Sequence, residues 1–364
     1  MKNCLLLDGS FACIPIVRAL SCNYNVFTCG NKKDAYFASN YASNHKLIDY
    51  SLPPKVEKII CENKIDLVVP GCTDLSLDAY GKVDLDFGMA IKKVSSKEAF
   101  HNFCLKLQLK SPKSFSTVEE CYFPVIVKPD DAFSGKGVTV VEEKLDIHRA
   151  IDSAMANSNS KKIIIQEYLI GQLHSVSAFK QPDGSIFKFL VEEHCNQHRF
   201  SVDESFVLHA PPQWDEALDE IINQIYSEMP ECVAFLHMQF IVCDNVIRPL
   251  ELMLRCPGDL YSLLIQYSTG IDYGALYINS FGGTAKNKVD TLVSQNRHVK
   301  RLTLKVSPEE MVPNIQVPSN TIDFYRTIPA GYLNTGELPL RYAVIFLEVE
   351  ELTHDTTKSL FEML

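Results

Sequence analysis

FPVIVKPDDAFSGKGVTVVEE, residues 123–143, sets a short strand, a lysine, a glycine-lysine-glycine turn and a second strand in a row. It is not a Walker-type phosphate loop. That motif needs a glycine five residues before the GK pair and a Ser or Thr directly after it, and here Asp130 and Gly137 hold those places. Val138 to Val141 alternate in the manner of a strand rather than opening a helix. The turn therefore joins two antiparallel strands, with no helix N-terminus behind it to hold an anion. A loop of this kind takes phosphate with backbone N–H groups and lysine charge, closing over it as a flap. The same residues also suit an ordinary glycine-containing hairpin, so the choice falls to the rest of the chain.

The chain has 364 residues, enough for two or three structural units and a sizeable core. Its 46% apolar and 22% charged content is that of a globular soluble protein. A net charge of −10 argues against nonspecific nucleic-acid binding. No apolar run reaches membrane-span length, and MKNCLLLDGS lacks a signal-peptide layout. The 12 cysteines form no CxxC pair and no zinc-type cluster, so reduced thiols in a cytoplasmic protein are expected. Most suit small buried positions, Cys256 included.

Residues 1–90 alternate between strands (CLLLD, NVFTCG, IDLVVPG) and helices (FACIPIVRAL, PKVEKIICENK), a pattern that predicts a parallel sheet. The first turn, DGSFA, has one glycine and no GxGxxG. It argues for a scaffold or substrate platform over a dinucleotide site, and against an oxidoreductase built on this unit. SSKEAFHNFCLKLQL reads as a capped amphipathic helix ended by Ser111-Pro112. Strands dominate from 123 to 190, interrupted by a helix at 145–158, with QPDG (181–184) as a turn. A helix over 215–229 precedes HMQFIVCDNVIRPLELML, a hairpin turning at Asp244-Asn245. Residues 260–282 are expected to be helical, and 298–364 to be short strands and turns.

Three elements fall in order: VIVKP with its flap, IIIQEYLIG (163–171), and the hairpin ending PLELMLR (249–255). This order resembles the ATP-grasp superfamily of carboxylate–amine and carboxylate–thiol ligases, over most of the chain. The N-terminal region is similar to the domain preceding the grasp in purine-biosynthetic and biotin-carboxylase-like members. The resemblance implies a mixed α/β and α+β architecture. A Rossmann-like pre-ATP-grasp domain would cover 1–94, a small lobe with the flap 95–172, and a large lobe with metal and acceptor sites 173–297. A closing subdomain would take 298–364.

The resemblance also implies ATP and Mg2+ as cofactors and assigns residues to them. Lys128 would reach the ATP phosphates, and so would Lys97, although Ser96 replaces the Asp of the family's DK pair; a solvated helix lysine fits Lys97 equally. Ser134, Gly135, Lys136 and Gly137 would form the flap, where the backbone itself must approach oxygen. Glu167, Tyr168 and Leu169 match the hinge that meets adenine. Glu251 would bind magnesium, with Gln239 in the place of the family's second metal-binding Glu. Arg255, four residues on, would neutralise the transferred phosphoryl group.

Met253 replaces the frequent Asn of ExNxR, and Leu173 the Glu that often follows the hinge. These departures raise the alternative of a nucleotide-binding regulatory or assembly module without turnover. HCNQHRFSVDE (194–204) lies where biotin-carboxylase-like members place polar site residues, so His194, Gln197, His198 and Arg199 are candidates for a carboxylate or phosphate. A surface polar loop is the competing account. Gly258 and Asp259 are candidates for the acceptor pocket. The implied activity is ADP-forming ligation of a carboxylate to an amine, with amino-acid or peptide-like substrates. A homodimer is the expected assembly, with no nucleic-acid or membrane partner.

Overall fold

The computed structural model describes residues 1–31, 42, 44–132, 135–196, 199–284, 297–336 and 339–352. Ser134, Gln197 and His198 lie outside these described residues. The chain opens with β1 (Lys2–Leu7), α1 (Ile14–Ser21), β2 (Tyr24–Gly30), β3 (Asn44–Leu47), α2 (Pro53–Glu62) and β4 (Leu67–Pro70). The four strands form one parallel sheet in the order β3-β2-β1-β4. Cys4 to Leu7 are fully buried, as expected of a parallel strand covered on both faces. Two further helices, α3 (Asp74–Val83) and α4 (Leu85–Lys92), complete this unit. Thr73 and Ser76 form a reciprocal capping box at the start of α3, and Asp84 caps α4 through the Phe87 amide.

A second sheet follows α5 (Lys97–Lys106). It contains β5 (Ser114–Phe115), β6 (Val125–Pro129), β7 (Thr139–Val141) and, after α6 (Ile147–Ala156), β8 (Ile163–Glu167). All its pairings are antiparallel in the order β5-β8-β6-β7, so the flap joins two antiparallel strands as its alternation predicts. This sheet and α6 share a separate small core of Phe115, Val125, Val127, Val141, Ile147 and Ile165 among others.

The third sheet is built from β9 (Gln172–Lys180), β10 (Ile186–His194), β11 (Glu204–Leu208), β12 (Phe235–Cys243), β13 (Val246–Met253), β14 (Val299–Val306), β15 (Thr321–Arg326) and β16 (Leu340–Glu348). Helices α7 (Pro212–Glu228), α8 (Tyr261–Thr269) and α9 (Tyr273–Asn279) pack around it. The order is β13-β12-β9-β10-β11-β14-β16-β15. Asp244 and Asn245 both adopt positive φ (50° and 60°), the type I′ geometry that suits a two-residue hairpin. Gly270, at φ 75°, breaks the expected helical stretch 260–282 into two helices. The tail differs from short strands and turns: β14 has 8 residues, β16 has 9, and pairing of β11 with β14 makes them continuous with the large sheet. No helix among the described residues is long and apolar enough to cross a membrane.

Candidate active site

Lys128 stands on β6, the strand that enters the flap. Burial pushes its ammonium down to about 8, the Lys97 ammonium pushes the same way, and Glu251 pulls back. Three groups from separate parts of the chain thus feel one another's charge: Lys97 at the start of α5, Lys128 on β6, and Glu251 on β13 of the large sheet. Folding has brought two like charges together at the cost of desolvating one, an arrangement that favours an anion between them.

Local structure explains why Lys97 is there. Ser96 caps α5 by accepting from the Ala99 amide at 3.1 Å, so a serine serves as the helix cap here. Asp130, at the end of β6, accepts from the Glu98 amide at 2.8 Å. Lys97 Nζ donates to the Ala132 carbonyl at 2.8 Å. The helix start is therefore fastened to the root of the flap. Within the flap Gly135 and Gly137 have φ of 72° and 71°. A Cβ on Gly135 would lie 2.6 Å from Phe200 Cβ, and one on Gly137 2.7 Å from Asn157 Cβ. Glycine is needed at both places for conformation and for room. Lys136 is exposed. A cavity of about 630 Å³ opens between Lys136–Thr139, Asn157, Asn334, Gly336, Pro339 and Leu340, and is lined by neither Lys128 nor Glu251.

The hinge is braced from the large sheet. Arg248 of β13 donates to Glu167 at 2.7 Å, to the Lys110 carbonyl at 2.7 Å and to the Ser111 carbonyl at 3.3 Å. The Glu167 carboxylate is thus committed to an ion pair, while Leu169 is buried. The Tyr168 ring carries the Arg199 guanidinium 5.3 Å from its centroid, and its hydroxyl accepts from Arg199 at 3.3 Å. Arg199, expected on the substrate side, instead lies against the hinge.

Glu251 is exposed and pairs in register with Gln239 on β12. Among the described residues its carboxylate has no hydrogen bond or ion pair, so the simple alternative of a Glu251–Arg255 ion pair is not what forms. Arg255 turns to the N-terminal unit and donates to Asp74 at 2.7 Å and to the Cys72 carbonyl at 3.0 Å. Gln239 Nε2 donates to Glu193 at 2.7 Å. One free carboxylate beside one neutral amide suits magnesium, which takes few carboxylates alongside phosphates and water; the thioether of Met253 adds nothing to that set.

The remaining candidates separate. His194 does not join this face. Adjacent strand residues point to opposite sides of a sheet, so Glu193 faces Gln239 while His194 pairs with Glu192 at 2.8 Å and stacks on Phe206. His174 stacks on Phe240, and His237, pushed down to about 3 by burial, bonds to Ser177 at 2.9 Å. Both are core histidines. The Asp259 carboxylate is held by Arg341, and a Cβ at Gly258 would meet open space. In the N-terminal crevice Asp8 accepts from the Ser10 amide at 2.8 Å and the Ser10 hydroxyl at 2.9 Å. That amide is thereby occupied from within the chain.

Two buried residues were not anticipated from sequence. Glu193, 4% exposed, lies beside Gln239. Its carboxyl is pushed up by burial, against the pull of Ser175, Arg301 and Gln239. Arg301, 3% exposed, donates to the Asp259 carbonyl at 3.1 Å, and its Nε has no hydrogen-bond partner among the described residues. The signal available was a charged residue inside each apolar strand, LVEEH and VKRLTLKV.

Residues 97–198 match the family model described as carbamoyl-phosphate synthase L chain, ATP binding domain. Solved structures align over nearly the whole chain at low identity. An L-amino acid ligase from Bacillus licheniformis gives a TM-score of 0.78 at 12% identity, covering 100% of this chain and 96% of its own. A phosphoribosylglycinamide synthetase from Anaerococcus prevotii gives 0.72 at 14%, covering 99% and 97%. The biotin carboxylase domain of the Hydrogenobacter thermophilus 2-oxoglutarate carboxylase, in complex with MgADP, ADP and bicarbonate, gives 0.76 at 12%, covering 96% and 86%.

Proposed function

From the ATP-grasp fold that this chain carries, we propose that it is an ATP- and magnesium-dependent ligase that activates a carboxylate as an acyl phosphate and joins it to an amine, releasing ADP and phosphate. The division into units at 1–94, 95–172, 173–297 and 298–364 is part of this proposal. The carrying observation is that the charges of Lys97 and Glu251 both act on Lys128, two of the three lying in the segment that matches an ATP-binding domain.

Each residue's task follows from its place. Lys128 and Lys97 supply positive charge to the triphosphate, Lys128 at the edge of the buried strand and Lys97 from the helix start. The flap backbone from Gly135 to Gly137 closes over the same phosphates, with Lys136 at its tip. Tyr168 and Leu169 present hinge backbone to the base, while Glu167 and Arg248 keep that hinge fixed to the large sheet. Glu251 and the amide oxygen of Gln239 would hold magnesium, whose positive charge would offset that of the phosphates. Arg255, anchored on Asp74, would neutralise the transferred phosphoryl group, and the buried Arg301 supports the charge of Glu193. Charge neutralisation and positioning are the protein's contribution, since both nucleophiles come from substrates.

The aligned structures include an L-amino acid ligase and a phosphoribosylglycinamide synthetase. We take an amino-acid or peptide-like pair as the substrate class, in keeping with the first of these. The test is ADP release from MgATP with amino acids and small carboxylic acids offered singly and in pairs. Stimulation by one carboxylate–amine pair is expected. ATP binding without stimulation by any pair would favour a nucleotide-binding module instead.

A further inference from the structure

We propose that Glu193 is a positioning residue that turns the amide oxygen of Gln239 toward Glu251. The inference rests on the assignment of Glu251 and Gln239 as magnesium ligands. A glutamine side chain ends in two groups of nearly equal size and opposite character. Only the oxygen can ligate a cation, and the NH2 would repel it. Something in the protein must therefore choose between the two orientations.

Glu193 makes that choice. Its Oε2 accepts from Gln239 Nε2 at 2.7 Å, and its Oε1 accepts from the Ser175 hydroxyl at 2.6 Å. With its NH2 given to Glu193, the Gln239 amide has its oxygen turned elsewhere. The carboxylate is itself held in place. Ser175 Oγ lies 3.0 Å from the Tyr261 hydroxyl, and the Arg301 guanidinium is close enough to support the charge. All of these residues are buried except Gln239, which is partly exposed.

The register supplies a second, independent observation. The two positions where the family resemblance expects a carboxylate and finds none, Leu173 and Gln239, both adjoin Glu193. Leu173 is its direct partner between β9 and β10, and Gln239 is its hydrogen-bond partner across β9. The negative charge missing from two strands stands on a third. Glu193 touches the ligand rather than the metal, the place in which outer groups orient inner ones and tune affinity.

The experiment uses Mn2+ in place of magnesium, with ADP, and follows free Mn2+ by electron paramagnetic resonance on the full chain. Wild type, Glu193→Gln and the exchange variant Glu193→Gln/Gln239→Glu are compared, with thermal unfolding recorded for each. Glu193→Gln removes the acceptor-only constraint and is expected to weaken Mn2+ binding roughly 10- to 100-fold. The exchange variant should recover it, because the amide introduced at 193 then donates to the carboxylate introduced at 239. Wild-type affinity in Glu193→Gln would overturn the inference. So would failure of a folded exchange variant to bind more tightly than Glu193→Gln. If Glu193→Gln does not fold, the exchange variant alone decides, by binding at wild-type strength or not. Absence of Mn2+ binding in wild type with ADP would instead overturn the metal-ligand assignment on which this one stands.

Discussion

Replacing Lys128 by methionine should make the unliganded protein more stable and worse at binding nucleotide. The folded protein holds this ammonium at about 8, down from 10.5, chiefly through burial and secondly through Lys97. At 1.36 kcal/mol per unit, that displacement costs the folded state about 3 kcal/mol while Lys128 is charged. The sign is set by proton binding. Between about pH 8 and 10.5 the unfolded chain binds the extra proton, so wild-type stability rises with pH across that window; below it the full cost is present. Lys128→Met keeps the stem and removes the charge. Its gain should be largest near pH 7, at most about 3 kcal/mol, and should shrink toward pH 10. Denaturant unfolding of both proteins across this range measures the gain, and calorimetric titration with MgATP measures the loss of binding. A variant that is less stable than wild type at neutral pH, or one that binds MgATP equally well, would refute the argument that this half-buried charge is retained for an anionic ligand.

Glu251→Ala removes an exposed carboxylate with no partner among the described residues, so its unfolding free energy should change by less than about 0.5 kcal/mol while magnesium-dependent ADP formation disappears; unfolding and turnover assays on one preparation check both. Arg248→Ala strips the hinge of its link to Glu167 and two carbonyls, and should cost about 2 kcal/mol and raise the KM for ATP, read from denaturation and initial rates. Gly135→Ala places a Cβ 2.6 Å from Phe200 Cβ at a φ of 72°. Strain of about 1–2 kcal/mol should open the flap, visible as faster amide hydrogen exchange from Val138 to Val141.

The hairpin from Phe123 to Val141 was legible because strand alternation and the two glycines are local signals, and the order of three such elements carried the fold. The site was legible where a residue's role depends on its own strand, as for Lys128 and Glu251. It was not legible where strand parity decides the outcome. Glu193 and His194 are neighbours in sequence, yet they face opposite sides of the sheet, and the polar run 194–204 carries no alternation from which to tell which. Glu204 hid the start of β11 for a related reason. It is a fully buried carboxylate paired with Lys300, and a charge inside a strand reads as loop. Arg255 and Asp259 sit beyond the end of β13, where alternation no longer applies, and their partners Asp74 and Arg341 are far away in sequence. The link between β11 and β14 is likewise a tertiary pairing that no local pattern announces.

Calorimetric titration of ATP with and without magnesium, into wild type, Lys128→Met and Glu251→Ala, asks whether these groups form one nucleotide site. The account predicts one site per wild-type chain that magnesium tightens. Glu251→Ala should lose the effect of magnesium while keeping metal-free binding, and Lys128→Met should weaken binding under both conditions. No nucleotide binding by wild type, or a magnesium effect that survives in Glu251→Ala, would contradict it.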